Sequence, residues 1–337
     1  MSGRFAPSPT GNLHLGNLRT ALLAWLAARS TGIDLIIRME DLDRVQAAPE
    51  HELAQLADLE AIGLDWTGGV VRQSERFDLY RDALATLRAQ GLVYECFCSR
   101  REVRVEIENS PSAPHLPPGS YPGTCRTLTS ERRRELLDAG RPPAIRLRAS
   151  ESMETSTDAG PELIHFTDLV AGPSAGGVDD VVLQRNDGVP AYNLAVVVDD
   201  ALQGVTQVVR GDDLLASTPR QIHLQRLLAL PALTYAHVPL VMGDDGERLS
   251  KRHGSVSLAE LSADGACVAD VVGELLRSVG VEPVETRAVT DSSDLDGLRW
   301  SLQRVAQTFD IAGMEQGEVT YQPDVEADAT FRLRKIG

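Results

Sequence analysis

The chain has no run of about 20 apolar residues, so no membrane-spanning helix is expected. It also lacks a basic-then-apolar leader, because a distinctive motif begins within the first few residues, and a cytoplasmic location is expected. Positive charge is in deficit: 33 basic against 49 acidic residues leave a net charge of −16. Phosphate neutralisation needs clustered Lys and Arg, so this balance excludes an indiscriminate binder of DNA or RNA. A specific RNA partner would need basic side chains on one face. Candidates are Arg100, Arg101 and Arg104, then Arg132, Arg133, Arg134, Arg141, Arg146 and Arg148. Cysteine is scarce as well. Three of the four fall between positions 96 and 125, and in a reducing compartment such a cluster favours metal binding over disulfides.

What is present is an ordinary globular composition, 42% hydrophobic and 24% charged over 337 residues, long enough for two domains. The N-terminal stretch Arg4-Phe5-Ala6-Pro7-Ser8-Pro9-Thr10-Gly11 begins as a short strand, stiffened by two prolines. After the turn at His14-Leu15-Gly16-Asn17, Leu18, Leu22, Trp25 and Leu26 recur at helical spacing, which predicts a helix starting near Asn17. A strand, a small-residue turn and a helix N-terminus make an anion-binding geometry. His14 can donate to a phosphate oxygen there, and Gly16 lets a ligand approach the backbone. Residues 33–39 read as a buried parallel strand running into Glu40-Asp41-Leu42-Asp43, and residues 50–63 and 77–90 as amphipathic helices. This alternation supports a doubly wound α/β sheet.

Downstream, Tyr94-Glu95-Cys96-Phe97-Cys98 leads through a Pro- and Ser-rich stretch, 109–120, to Tyr121 and Cys125. Three thiolates suit Zn²⁺, which needs a fourth ligand, and on chemistry alone His115 is the choice. Residues 150–162 and 171–177 read as loops. The segment 192–200 fits strand or helix equally, and 205–210 reads as a strand ending in Arg210. Thr218-Pro219 opens a helix. Cys267 stands alone and reads as a core residue.

The N-terminal string resembles the first signature of class I aminoacyl-tRNA synthetases in the form of the glutamyl and glutaminyl branch, with Asn17 departing from the usual His. Glu40 matches an Arg-x-Glu-Asp-x-Asp segment whose Glu receives the substrate ammonium. Gly63-Leu64-Asp65-Trp66 matches a further motif, with Thr67 departing. Gly246-Glu247-Arg248-Leu249-Ser250-Lys251-Arg252 resembles the second signature. The resemblance implies a split Rossmann-type catalytic domain, 1–92 and 178–258. It also implies an inserted α+β acceptor-binding subdomain, 93–177, and a short C-terminal helical region, 259–337, with no anticodon-binding domain. It implies L-glutamate held by Arg4, Ala6, Ser8, Glu40, Tyr192 and Arg210, since Arg pairs bidentately with carboxylates. ATP, with Mg²⁺, would be held by His14, Gly16, Asn17, Ser250 and Lys251, with His14 and Lys251 catalytic. The shortened relatives that modify tRNA carry Cys-x-Cys and Tyr-x-x-x-Cys, which points to Cys96, Cys98, Tyr121 and Cys125 as the zinc ligands. Those relatives place glutamate on queuosine of tRNA(Asp), and the brevity of the segment after Lys251 favours that reading. Charging of tRNA(Glu) and a non-catalytic paralogue binding glutamate or RNA stand as alternatives.

Overall fold

A helix that is apolar on every face must be buried, and the first helix is such a case. The chain runs β1 (Ser2–Phe5), α1 (Leu15–Ser30), β2 (Asp34–Met39), α2 (Pro49–Ala61), β3 (Val71–Arg72), α3 (Phe77–Ala89) and β4 (Val93–Cys96). Helices α4 (Arg100–Asn109) and α5 (Ser130–Asp138) precede β5 (Ala144–Leu147), β6 (Ile164–Asp168), β7 (Gly172–Gly176) and β8 (Val182–Gln184). Then come α6 (Tyr192–Leu202), β9 (Val205–Gly211), α7 (Thr218–Leu227), β10 (Thr234–Val238) and β11 (Val241–Met242). Helices α8 (Leu258–Ala263), α9 (Val268–Arg277) and α10 (Leu295–Ala306) lead to β12 (Val319–Pro323) and β13 (Phe331–Lys335). The computed structural model describes residues 1–109, 120–149, 163–249, 253, 256–283, 295–314, 317, 319–323 and 331–335. Ser250, Lys251, His115 and the expected loop at 150–162 lie outside them. Among the described residues no helix is long and apolar enough to cross a membrane.

The main sheet has seven strands in the order β3-β2-β1-β9-β10-β6-β7. All pairs are parallel except the β6–β7 hairpin. This is a doubly wound arrangement, with the order reversing between β1 and β9. Helix α1 packs on β1 and β9, with Leu15, Leu18, Leu26 and Trp25 all buried. Trp25 keeps its one polar atom satisfied by donating Nε1–H to Asp65 at 2.7 Å.

A second, antiparallel sheet has the order β4-β5-β8. The two sheets interleave along the chain: β6 and β7 return to the main sheet before β8 rejoins the small one. Of residues 171–177, expected as a loop from their Gly and Pro, Gly172–Gly176 form β7 at the sheet edge, where Pro173 and the glycines are tolerated. Helix α1 starts at Leu15, two residues earlier than its apolar spacing suggested, because His14 serves as its N-cap. The ambiguous segment at 192 is a helix. The C-terminal region is not wholly helical. Its strands β12 and β13 pair antiparallel, and β12 runs parallel to β11. Cys267 is not in the core: it caps α9, half-buried, with its thiol donating to Asp270.

Candidate active site

The carboxyl ends of β1 and β9 meet where the strand order reverses, the place at which open α/β sheets bind ligands. A cleft of about 620 Å³ opens there. It is lined by Arg4, Ala6, Ser8, Glu40, Tyr192 and Arg210, and also by His14, Gly16 and Asn17. Every described residue expected to touch glutamate or ATP therefore faces one cavity.

The loop between β1 and α1 is rich in proline, which has no N–H to donate, so it is held through its carbonyls. The Glu40 amide donates to Pro7 O at 2.9 Å, and Gln55 Nε2 donates to Ser8 O and Gly11 O at 3.0 and 2.7 Å. Asn17 Oδ1 accepts from the His14 amide at 3.3 Å. The imidazole of His14 lies over Gly16, where a Cβ would stand 3.0 Å from its Cε1, so only glycine fits without a shift. Burial, and then the Arg248 charge, lower the His14 pKa to about 4, which leaves a neutral ring with one donor. One helix-terminal amide is already taken: Leu15 N–H donates to Val256 O at 2.8 Å.

At the other end of the cleft, Arg210 is only 4% exposed. Its Nε donates to His237 Nε2 at 3.0 Å, Nη1 to Gln221 at 2.8 Å and Nη2 to Thr218 at 2.9 Å. Arg4 is equally buried but more sparingly bonded: Nη1 donates to Val209 O at 3.4 Å, while Nε has no hydrogen-bond partner and faces Asp200 at 3.6 Å. Burial raises the pKa of Glu40 against the opposing pull of Arg38 and Arg4. Tyr192 is likewise raised, by burial and by Glu40.

Beneath these groups lies a charged layer that sequence reasoning missed. Arg38 is fully buried and donates to Asp200 at 2.7 Å and to Gln203 at 2.9 Å. Asp199 accepts from Gln73, Arg76 and Tyr80 at 3.0, 2.7 and 2.7 Å. Burial disfavours the Arg38 charge, but Asp200, Glu40 and Asp199 outweigh it and its pKa rises. Asp168 and His237, behind Arg210, were missed too. Only the Asp199-Asp200 doublet, in a stretch too apolar to be a surface loop, hinted at this layer.

On the small sheet, Cys96, Cys98 and Cys125 converge with their sulfurs within 4.8 Å of one another. Cys98 Sγ lies 3.4 Å from Cys125 Sγ and 3.3 Å from the Tyr121 oxygen, which also accepts the Cys125 amide at 2.9 Å. A tetrahedral ion with bonds of about 2.3 Å sets its sulfurs about 3.8 Å apart, so this donor set fits one metal ion. The Arg146 guanidinium stacks 3.8 Å over the Tyr121 ring, and hydrogen bonding from Cys125 lowers the Cys96 thiol.

The expected basic face is partly spent on the protein itself. Arg133 pairs with Glu95, Arg132 with Glu135 and Arg141 with Glu102.

Residues 1–306 match the family model for the catalytic domain of class I tRNA synthetases, E and Q. The chain is 54% identical over 293 residues to a glutamyl-Q tRNA(Asp) synthetase of Nocardia farcinica, covering 87% of this chain and 89% of that protein. It is 47% identical to one of Symbiobacterium thermophilum, covering 88% and 93%. A glutamate–tRNA ligase of Geobacter sulfurreducens is 42% identical, with 81% of this chain matching 56% of that protein. Among solved structures, the glutamate-tRNA synthetase of Elizabethkingia anophelis superposes with a TM-score of 0.76 at 26% identity, covering 96% of this chain and 68% of that one.

Proposed function

Since the chain belongs to the glutamyl and glutaminyl class I tRNA synthetases, we propose that it activates L-glutamate with ATP and transfers it to queuosine of tRNA(Asp). The observation that carries this reading is the match to glutamyl-Q tRNA(Asp) synthetases over nearly their whole length, against little more than half of the glutamate–tRNA ligase. The cleft supports the first half-reaction. Glu40 receives the substrate ammonium, and Arg4 and Arg210, with Tyr192, receive its carboxylates; Ala6 and Ser8 line the wall between.

An oxygen of the α-carboxylate attacks the α-phosphorus of ATP, the bond to pyrophosphate breaks, and glutamyl-adenylate forms. His14, Gly16 and Asn17 seat the phosphates, and Lys251, next to Ser250 in sequence, supplies a positive charge as the transition state develops. Mg²⁺ bound with ATP would supply further neutralisation of the phosphate charge. A hydroxyl of the acceptor nucleoside then attacks the activated carbonyl, forms an ester and releases AMP. Cys96, Cys98, Cys125 and Tyr121 would hold one structural zinc ion, and the small sheet beside them serves as the acceptor-binding subdomain.

The test is transfer of labelled glutamate to tRNA from cells grown with or without queuine. Labelling of tRNA(Asp) from queuine-fed cells alone is expected. Labelling of tRNA(Glu) from both sources would overturn the assignment in favour of a conventional synthetase.

A further inference from the structure

Three neighbouring parallel strands deliver a charged relay behind the cleft. Arg210 on β9 and His237 on β10 are register partners, and Asp168 ends β6 next to them, opposite Tyr235. His237 Nδ1 lies 2.6 Å from Asp168 Oδ2, with both side chains fully buried. On its other side the ring nitrogen Nε2 meets Arg210 Nε at 3.0 Å. A guanidinium only donates, so Nε2 is the acceptor and Nδ1 carries the proton, donating a hydrogen bond to the Asp168 carboxylate. Burial lowers the His237 pKa, so the ring stays neutral against the nearby arginine.

The count of donors gives this arrangement a purpose. Arg210 has five N–H groups. His237, Gln221 and Thr218 take one each from Nε, Nη1 and Nη2. One N–H is left on each terminal nitrogen, a pair matched to the two oxygens of a carboxylate. The long contact from Nη1 to Tyr192 Oη, 3.5 Å, is the one a ligand would replace.

We propose that Asp168 and His237 are positioning residues that lock Arg210 in the one orientation presenting this pair of donors to a substrate carboxylate. The inference rests on the reading of Arg210 as a glutamate ligand.

The test uses glutamate-dependent ATP–pyrophosphate exchange with the full chain. Asp168→Asn is nearly isosteric. Its Oδ1 still serves the amides of Val170, Ala171 and His237, which the aspartate accepts at 2.9, 2.8 and 3.1 Å. Its Nδ2–H, however, forces the His237 proton onto Nε2, which then donates to Thr218 Oγ1, 3.1 Å away, and no longer accepts from Arg210 Nε. The glutamate KM is expected to rise about 10- to 100-fold, with the ATP KM and thermal midpoint nearly unchanged. His237→Gln places an amide oxygen where Nε2 was, and adding it to Asp168→Asn is expected to restore most of the loss. Equal rises in both KM values together with a lower midpoint would reduce the pair to a structural role. An unchanged glutamate KM in Asp168→Asn, while Arg210→Ala raises it, would overturn the pair alone. An unchanged glutamate KM in Arg210→Ala would remove the underlying reading as well.

Discussion

Arg38 and Asp200 form an ion pair of 2.7 Å with the arginine side chain 0% and the aspartate 5% exposed. The same carboxylate faces Arg4 at 3.6 Å, so one buried acid serves both a structural arginine and one that lines the cleft. Removing one member of such a group leaves an uncompensated buried charge, while the pair as a whole need not be strongly stabilising.

Asp200→Asn should therefore destabilise the protein by about 3–5 kcal/mol, since two buried guanidinium groups lose their counter-ion. Urea titration checks this. A loss under 1 kcal/mol would mean that Glu40 and Asp199 already neutralise Arg38.

Two histidines make stability fall on the acid side. Burial lowers both His14 and His223 to about 4, from an ordinary value of 6.5. The unfolded chain then binds protons before the folded one does, so stability is complete above about pH 6.5 and declines as pH falls towards 4. The denaturation midpoint of wild type should drop between about pH 7 and 5, and His14→Asn with His223→Asn should flatten that slope. A wild-type midpoint that stays level over this interval would refute it.

The metal reading separates two candidate ligands. Purified protein should hold a single zinc ion per chain by mass spectrometry of the metal, and Cys125→Ser should lose it along with thermal stability. Tyr121→Phe should also weaken retention of the ion. If Tyr121→Phe keeps its zinc and His115→Ala does not, the fourth ligand is the histidine.

Lysine is rare here, with Lys251 and Lys335 the only two. Amine-directed labelling is thus a nearly clean probe of the second signature. Modification of Lys251 should be blocked by ATP, and Lys251→Ala should lower pyrophosphate exchange by about 10²–10³ while the far-ultraviolet circular dichroism is retained. Labelling indifferent to ATP would place Lys251 away from the phosphates.

The site was legible where chemistry and chain order coincide. The strand, Pro-Ser-Pro loop and His14-Leu15-Gly16 turn lie within a few residues of each other, and the cleft wall they form is local. Glu40 and Arg210 could be placed because each ends an apolar run that had to be a buried strand. The layer behind them was hidden because its partners are far apart in sequence: Gln73 and Asp199 are 126 residues apart, and Asp168 and His237 are 69. Periodicity cannot pair such positions; only sheet register does. Strand β7 was misread because Gly and Pro argue for a loop, whereas an edge strand needs fewer backbone donors. The alternation of buried Phe331 and Leu333 with Arg332 and Arg334 was a strand signal in plain view.

Strand β11, which leads into the second signature, has Val241 and Met242 in register with Val319 and Thr320 of β12. A strand of only two residues thus takes its pairing partner from almost eighty positions further along the chain. The two segments are coupled through backbone hydrogen bonds, so a side-chain substitution in β12 is felt at β11 to the extent that it disturbs that pairing.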